Sequence, residues 1–160
     1  VLPHRETVDL AEETRALFDY YDAVAADKGL RLSLVGDARV LADRLMLRRA
    51  IGNLLSNAVR HAKAASNLLV TLQSTAEDAT LSVQNFGDTI PAESLDRVFD
   101  RFFRVDAARP RSEGTGLGLA IAKSIVVAHG GTISVNSSQG VTLFSIRLPH
   151  SPAPRLTTTT

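Results

Sequence analysis

The sequence predicts an α+β fold, a two-layer sandwich in which helices cover one face of a mostly antiparallel sheet. Two observations lead to this prediction. Segments with helical periodicity are separated by strand-like runs, and several of these runs come in neighbouring pairs joined by short polar turns, as in antiparallel hairpins. The chain also does not follow the strict alternation of single strands and helices that builds a parallel dinucleotide-binding domain.

The first part of the chain predicts a helix, a strand and a second helix. Asp9 and Glu12 form a capping pair for a helix over residues 10–28. Leucines alternate with polar residues over 30–34, which is typical of a half-buried strand. After a Gly-Asp turn, a second helix is expected over residues 43–62.

The second part predicts two strand pairs that flank an irregular segment and a third helix. The irregular segment covers residues 86–113 and ends in a basic, proline-containing loop. The predicted elements are strands 68–74 and 79–85, a short helix within 94–103, a helix over 116–129, and strands 132–136 and 141–148. We expect the Pro/Thr-rich tail, residues 150–160, to be disordered.

Length and composition are typical of one globular domain. The chain has 160 residues, of which 44% are hydrophobic and 22% are charged, with a formal net charge of +1. The near-neutral charge predicts no nucleic-acid partner, and the lack of cysteine excludes disulfides and thiolate metal sites. No apolar run approaches the roughly 20 residues that span a bilayer. Since the chain begins at Val1 rather than Met, we expect it to be a piece of a longer protein.

One face of the second predicted helix carries an unusual set of polar side chains. At about 100° per residue, Asn53, Asn57, Arg60 and His61 fall on one side and apolar residues on the other. Asn is a poor helix former, so two of them one turn apart suggest more than a solvated face, which remains the alternative. Amide oxygens suit Mg²⁺ that also binds substrate phosphates, and a nearby arginine can contact phosphate.

The stretch GTGLGLAIAKSIVVAHGG, residues 114–131, places glycines at every second position before a helix. Such glycines allow the backbone to approach phosphate at a helix N-terminus. A dinucleotide-binding loop is disfavoured, because it needs a strand directly before the glycines, and here the basic segment RVDAARPRSE precedes them. His129, in the last turn of this helix, is expected to have a structural role as a cation that suits the helix dipole.

Four motifs resemble, in order, the boxes of the GHKL (Bergerat-fold) ATPase and kinase superfamily in its histidine-kinase version. NLLSNAVRH resembles the N box, VQNFGDTI the G1 box, RVFDRFFRVD the F box, and the glycine stretch the G2 box. Together they cover about residues 45–131. The segments NFGDTI and DRFFRVD most resemble those of heavy-metal (copper/silver-type) two-component sensor kinases.

The resemblance implies a domain organisation. Residues 9–149 would be the catalytic ATP-binding domain, with three helices on one face of the sheet and a flexible ATP lid over about 88–115. Residues 1–8 would end the linker from a separate dimerisation domain that carries the phosphoacceptor histidine. His4 lies behind a proline and before a strand-like run, so it does not fit that acceptor. The lid phenylalanines would anchor the lid or belong to the core.

The resemblance also implies an ATP and Mg²⁺ site. Asn57 would coordinate Mg²⁺, while Asn53 supports the metal or the phosphates. Arg60 would face the phosphates, and Arg104 would reach the γ-phosphate. Further contacts to ATP are implied for His61, Asn85, Gly87, Ile90, Gly114, Thr115, Gly116, Leu117, Gly118, Leu119 and Thr142.

The sequence departs from the family pattern at the adenine end of this site. Asn85 stands where the family has an adenine-reading Asp, and a neutral amide bonds more weakly than a carboxylate, so we expect modest ATP affinity. Asp88-Thr89 replaces a glycine of the box, which predicts a stiffer loop. Thr142 resembles the late Ser/Thr beside adenine, but it follows Val141 rather than glycine, and an ordinary strand threonine is the alternative.

The implied activity is transfer of the γ-phosphoryl group of ATP to a histidine on the separate dimerisation domain. Asn53 stands where ATP-hydrolysing relatives have a Glu base, so we expect slow hydrolysis. The implied partners are that domain and a response regulator acting through it. The whole kinase would be a membrane-bound homodimer, with this domain on the cytoplasmic side of the inner membrane. The alternative is a nucleotide-binding regulatory module without kinase activity.

Overall fold

The computed structural model describes residues 4–103 and 117–150. Within these residues it has seven strands and four helices. In chain order they are β1 Glu6–Asp9, α1 Leu10–Asp27, β2 Arg31–Gly36, β3 Arg39–Ala42, α2 Arg44–His61, β4 Asn67–Ser74, β5 Asp78–Phe86, α3 Ala92–Leu95, α4 Gly118–Ala128, β6 Thr132–Ser138 and β7 Val141–Pro149. The three long predicted helices correspond to α1, α2 and α4.

The main sheet has five strands in the order β2-β4-β5-β7-β6. The β2–β4 pair is parallel, whereas β4–β5, β5–β7 and β6–β7 are antiparallel. The predicted hairpin of β4 and β5 is therefore present, and the last two predicted strands, β6 and β7, also pair with each other. The mostly antiparallel α+β sandwich predicted from the sequence is confirmed.

A separate two-stranded sheet joins β1 to β3. The pairing is antiparallel, with Glu6 opposite Ala42 and Asp9 opposite Arg39. The sequence showed a strand-like run at β1 but gave no signal for β3, which has only four residues. Its partner lies far away along the chain, so local patterning could not reveal it.

The predicted short helix within 94–103 is wrong in extent. Only α3 forms, as a single turn that begins after Pro91. Beyond it the chain makes successive turns: Arg97 N–H donates to the Ser94 carbonyl and Asp100 N–H donates to the Arg97 carbonyl. Bonds that span three residues build separate turns rather than an α-helix.

The core lies between the sheet and the helices. Phe144, Ile146 and Leu148 alternate inward from β7 as predicted, and each is at most 2% exposed. The apolar face of α2 packs on the same side, with Leu54 and Leu55 buried. Because of this packing, the opposite, polar face of α2 is directed away from the core.

Asp9 caps α1 as predicted. Its Oδ1 accepts hydrogen bonds from the backbone N–H groups of Ala11 at 3.0 Å and Glu12 at 3.2 Å. Asp43 caps α2 in the same way, accepting from Met46 N–H at 3.2 Å. These side chains satisfy N–H groups that have no partner within their helices.

His129 has the expected structural role, but the expected cation is wrong. Its Nδ1 lies 2.8 Å from the Ile125 carbonyl oxygen, which can only accept, so Nδ1 carries the hydrogen. Its Nε2 accepts from the backbone N–H of Asp43 at 3.1 Å. One nitrogen donates and the other accepts, so the ring is neutral. It joins the end of α4 to the start of α2.

None of the described helices is both long enough and apolar enough to cross a membrane. Arg104, Gly114, Thr115, Gly116 and the predicted tail from residue 151 lie outside the described residues, as does the second half of the predicted lid. The domain bounds at residues 9 and 149 stay predictions.

Candidate functional site

The polar face of α2 lies where the spacing of about 100° per residue predicted. Asn53 and Asn57 are half-buried, while Arg60 and His61 are exposed. The buried residues of this helix are Leu47, Ala50, Ile51, Gly52, Leu54, Leu55, Ala58 and Val59. The helix therefore presents two amides and two basic side chains away from the core.

Asn53 connects this face to the start of α4. Its Nδ2 donates to the backbone carbonyl of Gly118 at 3.0 Å. A Cβ on Gly118 would lie 3.9 Å from both Cβ and Cγ of Asn53, so the two residues are in contact. Because the amide nitrogen donates to Gly118, Oδ1 remains the acceptor atom of this side chain.

The N-terminus of α4 has the features of an anion site. Leu117 occupies the cap position without a side-chain hydrogen bond, and the first turn contains no acidic residue. The first N–H groups of a helix lack partners within it and favour negative charge. Leu117, Gly118 and Leu119 are half-buried here. Of these three predicted residues, Gly118 is the one that contacts Asn53.

Gly87 contacts the end of α2. Ala62, directly after the helix, forms a β-bridge with Gly87, and Lys63 N–H donates to the Phe86 carbonyl at 2.7 Å. A Cβ on Gly87 would collide with the backbone carbonyl oxygen of His61. Glycine is therefore required here by the approach of α2, and contact with a purine stays a prediction.

Lys28 holds the end of α2 from the other side, and sequence reasoning missed it. Its Nζ donates to the carbonyl oxygens of Val59 at 2.8 Å and Arg60 at 3.0 Å. Burial lowers the pKa of Lys28. A cation at the C-terminus of a helix is favourable, but this one comes from more than 30 residues away, so no local pattern could show it.

Asn85 and Thr142 lie opposite each other in β5 and β7. Asn85 is 3% exposed and Thr142 is 5% exposed. Thr142 Oγ1 lies 2.8 Å from Ser137 Oγ in β6, and Ser137 Oγ accepts from the backbone N–H of Ile90 at 2.8 Å. Thr142 and Ile90, two predicted site residues, are thus joined through Ser137, which the sequence did not single out.

The segment after β5 is tied to the β6–β7 turn. Gly87 N–H donates to the Gly140 carbonyl at 2.9 Å, and Gly140 N–H donates to Thr89 Oγ1 at 2.6 Å. A glycine in place of Thr89 could not supply that acceptor. The hydroxyl of Thr89 thus constrains the loop in which the sequence predicted extra stiffness.

The phenylalanines of the F-box-like motif separate into two environments. Phe99 and Phe103 are partly buried against the core, and the Phe99 ring meets Phe144 edge-on at 6.0 Å between centroids. Phe102 is 58% exposed and has a left-handed backbone with φ of 65°. Only two of the three therefore anchor this segment to the domain.

Metal binding at this site would rest on amide oxygens. Among residues 4–103 and 117–150 there is no group of three or more His, Asp or Glu side chains that could hold an ion. Mg²⁺ commonly takes few protein ligands and completes its shell with water and phosphate oxygens. Asn57, together with a bound triphosphate, fits that preference.

The chain is similar to known proteins along most of its length. A family model described as "Histidine kinase-, DNA gyrase B-, and HSP90-like ATPase" matches residues 42–152. Sensor histidine kinase CusS of Escherichia coli K12 is 46% identical over 151 residues, which are 93% of this chain and 32% of CusS. Sensor protein CzcS of Cupriavidus metallidurans is 42% identical over 144 residues, which are 89% of this chain and 30% of CzcS.

A solved structure extends the likeness to three dimensions. The mycobacterial sensor histidine kinase MprB superposes with a TM-score of 0.80 at 30% identity, over 94% of this chain and 100% of that one. The predicted likeness to histidine kinases of the metal-sensing group is confirmed. This chain spans about a third of the length of CusS and of CzcS. It belongs to the histidine kinase-, DNA gyrase B- and HSP90-like ATPase family, as a catalytic domain of the histidine-kinase type.

Proposed function

We propose that the chain binds ATP with Mg²⁺ between α2, the segment after β5 and the start of α4, and donates the γ-phosphoryl group to a histidine on a separate dimerisation domain. The observation that carries the proposal is the Asn53–Gly118 hydrogen bond. It sets the polar face of α2 beside a helix N-terminus that has neither a side-chain cap nor an acidic residue in its first turn. That combination suits a magnesium-bound triphosphate.

Each side chain has a defined task in this proposal. The N–H groups at the start of α4 bind phosphate oxygens, and Asn57 contributes its amide oxygen to Mg²⁺. Arg60 faces the phosphates, and Arg104, outside the described residues, reaches the γ-phosphate. The bound nucleotide supplies the phosphoryl group, and catalysis consists mainly of positioning and charge neutralisation.

Asn53 makes water a poor acceptor at this site. An amide cannot take a proton from water at neutral pH. Its nitrogen is also engaged by the Gly118 carbonyl, which fixes its orientation. The domain therefore holds ATP with slow hydrolysis until an acceptor histidine is presented.

The partners follow from the likeness to sensor histidine kinases. They are the dimerisation domain of the same kinase and a response regulator that takes the phosphoryl group from it. We place the domain on the cytoplasmic side of a membrane-bound, homodimeric sensor of the inner membrane, with a metal ion as stimulus.

The test is ATP binding by calorimetry with and without Mg²⁺, for wild type and Asn57→Ala. We expect Mg²⁺ to strengthen ATP binding by wild type, and the variant to lose most of that gain. Asn136→Ala, at an exposed position of β6, is the matched control and should behave as wild type. An unchanged Mg²⁺ dependence in Asn57→Ala would overturn the metal assignment.

A further inference from the structure

Three neighbouring strands place uncharged polar side chains at one end of the sheet. Asn85 in β5 is opposite Thr142 in β7, and Thr142 is opposite Ser137 in β6. Residues paired across strands point to the same face of a sheet. Asn85 and Thr142 are both more than nine-tenths buried. In the proposed function, which this inference deepens, this is the end that contacts the base of the nucleotide.

The Asn85 amide is not committed to a partner. Within the part of the chain that the structure describes, the side-chain amide of Asn85 makes no hydrogen bond. It lies against Gly87, where an added Cβ would be 3.5 Å from Asn85 Nδ2. An amide offers an acceptor oxygen and a donor nitrogen, and rotation about its last torsion exchanges the two. An aspartate at the same place would offer acceptors only.

The Thr142 hydroxyl can likewise act as a donor or as an acceptor. Its oxygen lies 2.8 Å from Ser137 Oγ, and either oxygen can be the donor. Ser137 Oγ already accepts from Ile90 N–H, and a hydroxyl oxygen has two lone pairs. When Ser137 donates, the proton of Thr142 is free to be given to a ligand. When Thr142 donates to Ser137, a lone pair of Thr142 is free to accept from a ligand.

Purines differ in the pattern that such a pair would meet. Adenine has a donor amino group on C6 and an acceptor at N1, whereas hypoxanthine and guanine have an acceptor oxygen on C6 and a donor N1–H. The two patterns are inverted. Asn85 and Thr142 can each invert their own role, so together they can match either one.

We infer that this domain binds 6-oxopurine triphosphates as well as ATP, and that Asn85 is the residue that sets this relaxed selectivity. A site that offers acceptors alone strongly rejects a 6-oxo group, because two acceptors then face each other in a buried place. The amide removes that conflict. The departure from Asp at this position therefore broadens the nucleotide class in addition to weakening one hydrogen bond.

The test compares the dissociation constants of ATP, ITP and GTP, each with Mg²⁺, for this chain and its variants. ITP has the 6-oxo group without the additional 2-amino group of GTP, so it isolates the feature in question. For wild type we expect ITP to bind within about tenfold of ATP. For Asn85→Asp we expect ATP binding to be kept and the ITP-to-ATP ratio of dissociation constants to rise about 10- to 100-fold.

Two further variants complete the design. Asn136→Asp makes the same substitution at an exposed position of β6 and should leave the ratio unchanged. Ser137→Ala removes the oxygen to which Thr142 donates when its own oxygen accepts from a ligand. The variant should therefore weaken binding of ITP more than binding of ATP. The ratio of the ITP and ATP dissociation constants of wild type tests the inference even if a variant fails to fold.

The outcomes separate this inference from the proposed function. ATP binding with ITP more than about 100-fold weaker in wild type, or an unchanged ratio in a folded Asn85→Asp variant, would overturn the inference and leave the proposed function intact. Failure of wild type to bind any of the three nucleotides would overturn both.

Discussion

At the scale of single residues, one hydrogen bond and one glycine position the site. Asn53 donates to the Gly118 carbonyl, and Gly87 leaves room for the His61 carbonyl at the end of α2. The sequence predicted that Asn53, Gly87 and Gly118 belong to one site, because their motifs resemble a known set. It could not predict that Gly87 is needed by the protein's own backbone.

Replacing Gly87 with alanine tests this contact. The added Cβ would meet backbone, which cannot turn aside as a flexible side chain would. We expect Gly87→Ala to lower the free energy of unfolding by about 1–3 kcal/mol and to weaken ATP binding. Gly52→Ala is the matched control, since its Cβ would reach only Leu17 Cδ2 at 3.5 Å. In a helix interior that change should stabilise by about 0.5–1 kcal/mol. Equal stability of the two variants in urea unfolding would contradict this account.

The neutral ring of His129 gives a second prediction at this scale. His129→Phe keeps a buried ring but leaves the Asp43 N–H without its acceptor. We expect a loss of about 1–3 kcal/mol in the free energy of unfolding, measured by chemical denaturation. His150→Phe, which removes an exposed bond to Ser74, should cost little. A His129→Phe variant as stable as wild type would show that the buried bond is not needed.

At the scale of elements, α2 is fixed by groups that no local pattern reveals. Lys28 donates to the carbonyls of Val59 and Arg60, and Tyr21 Oη donates to the Gly52 carbonyl at 3.2 Å. The position of α2 in the sequence and its polar face were predictable from periodicity. Its anchoring to α1 was not, because these contacts join residues about 30 positions apart.

Tyr21 makes the contact between α1 and α2 sensitive to alkaline pH. Burial raises the pKa of Tyr21, so the folded state keeps the phenol proton after the unfolded chain has lost it. The stabilising contribution is thus complete below the ordinary tyrosine pKa of about 10 and falls as pH rises through the folded value. Tyr21→Phe should cost about 1 kcal/mol at neutral pH. Its deficit relative to wild type should shrink above about pH 10 in urea unfolding, and a constant deficit would contradict the shift.

At the scale of the whole molecule, α4 lies antiparallel to α2 and is joined to it at both of its own ends. Asn53, in the middle of α2, donates to Gly118 at the start of α4, and Asp43, before α2, donates to His129 at the end of α4. The fold class was predictable because hairpins and amphipathic helices leave local patterns. The parallel β2–β4 pair and the β1–β3 sheet were not, because each joins segments that are distant in sequence. The polar set on α2 becomes a site only through this arrangement.

The most direct test of the central claim is transfer of label from γ-labelled ATP to a dimerisation domain supplied separately. With Mg²⁺, wild type should label a histidine of that domain and release phosphate only slowly when the domain is left out. Asn57→Ala should label it poorly, while Asn136→Ala labels it as wild type does. Rapid ATP turnover without the acceptor, or ATP binding with no label on the histidine, would contradict the account, and the latter would favour a regulatory module instead.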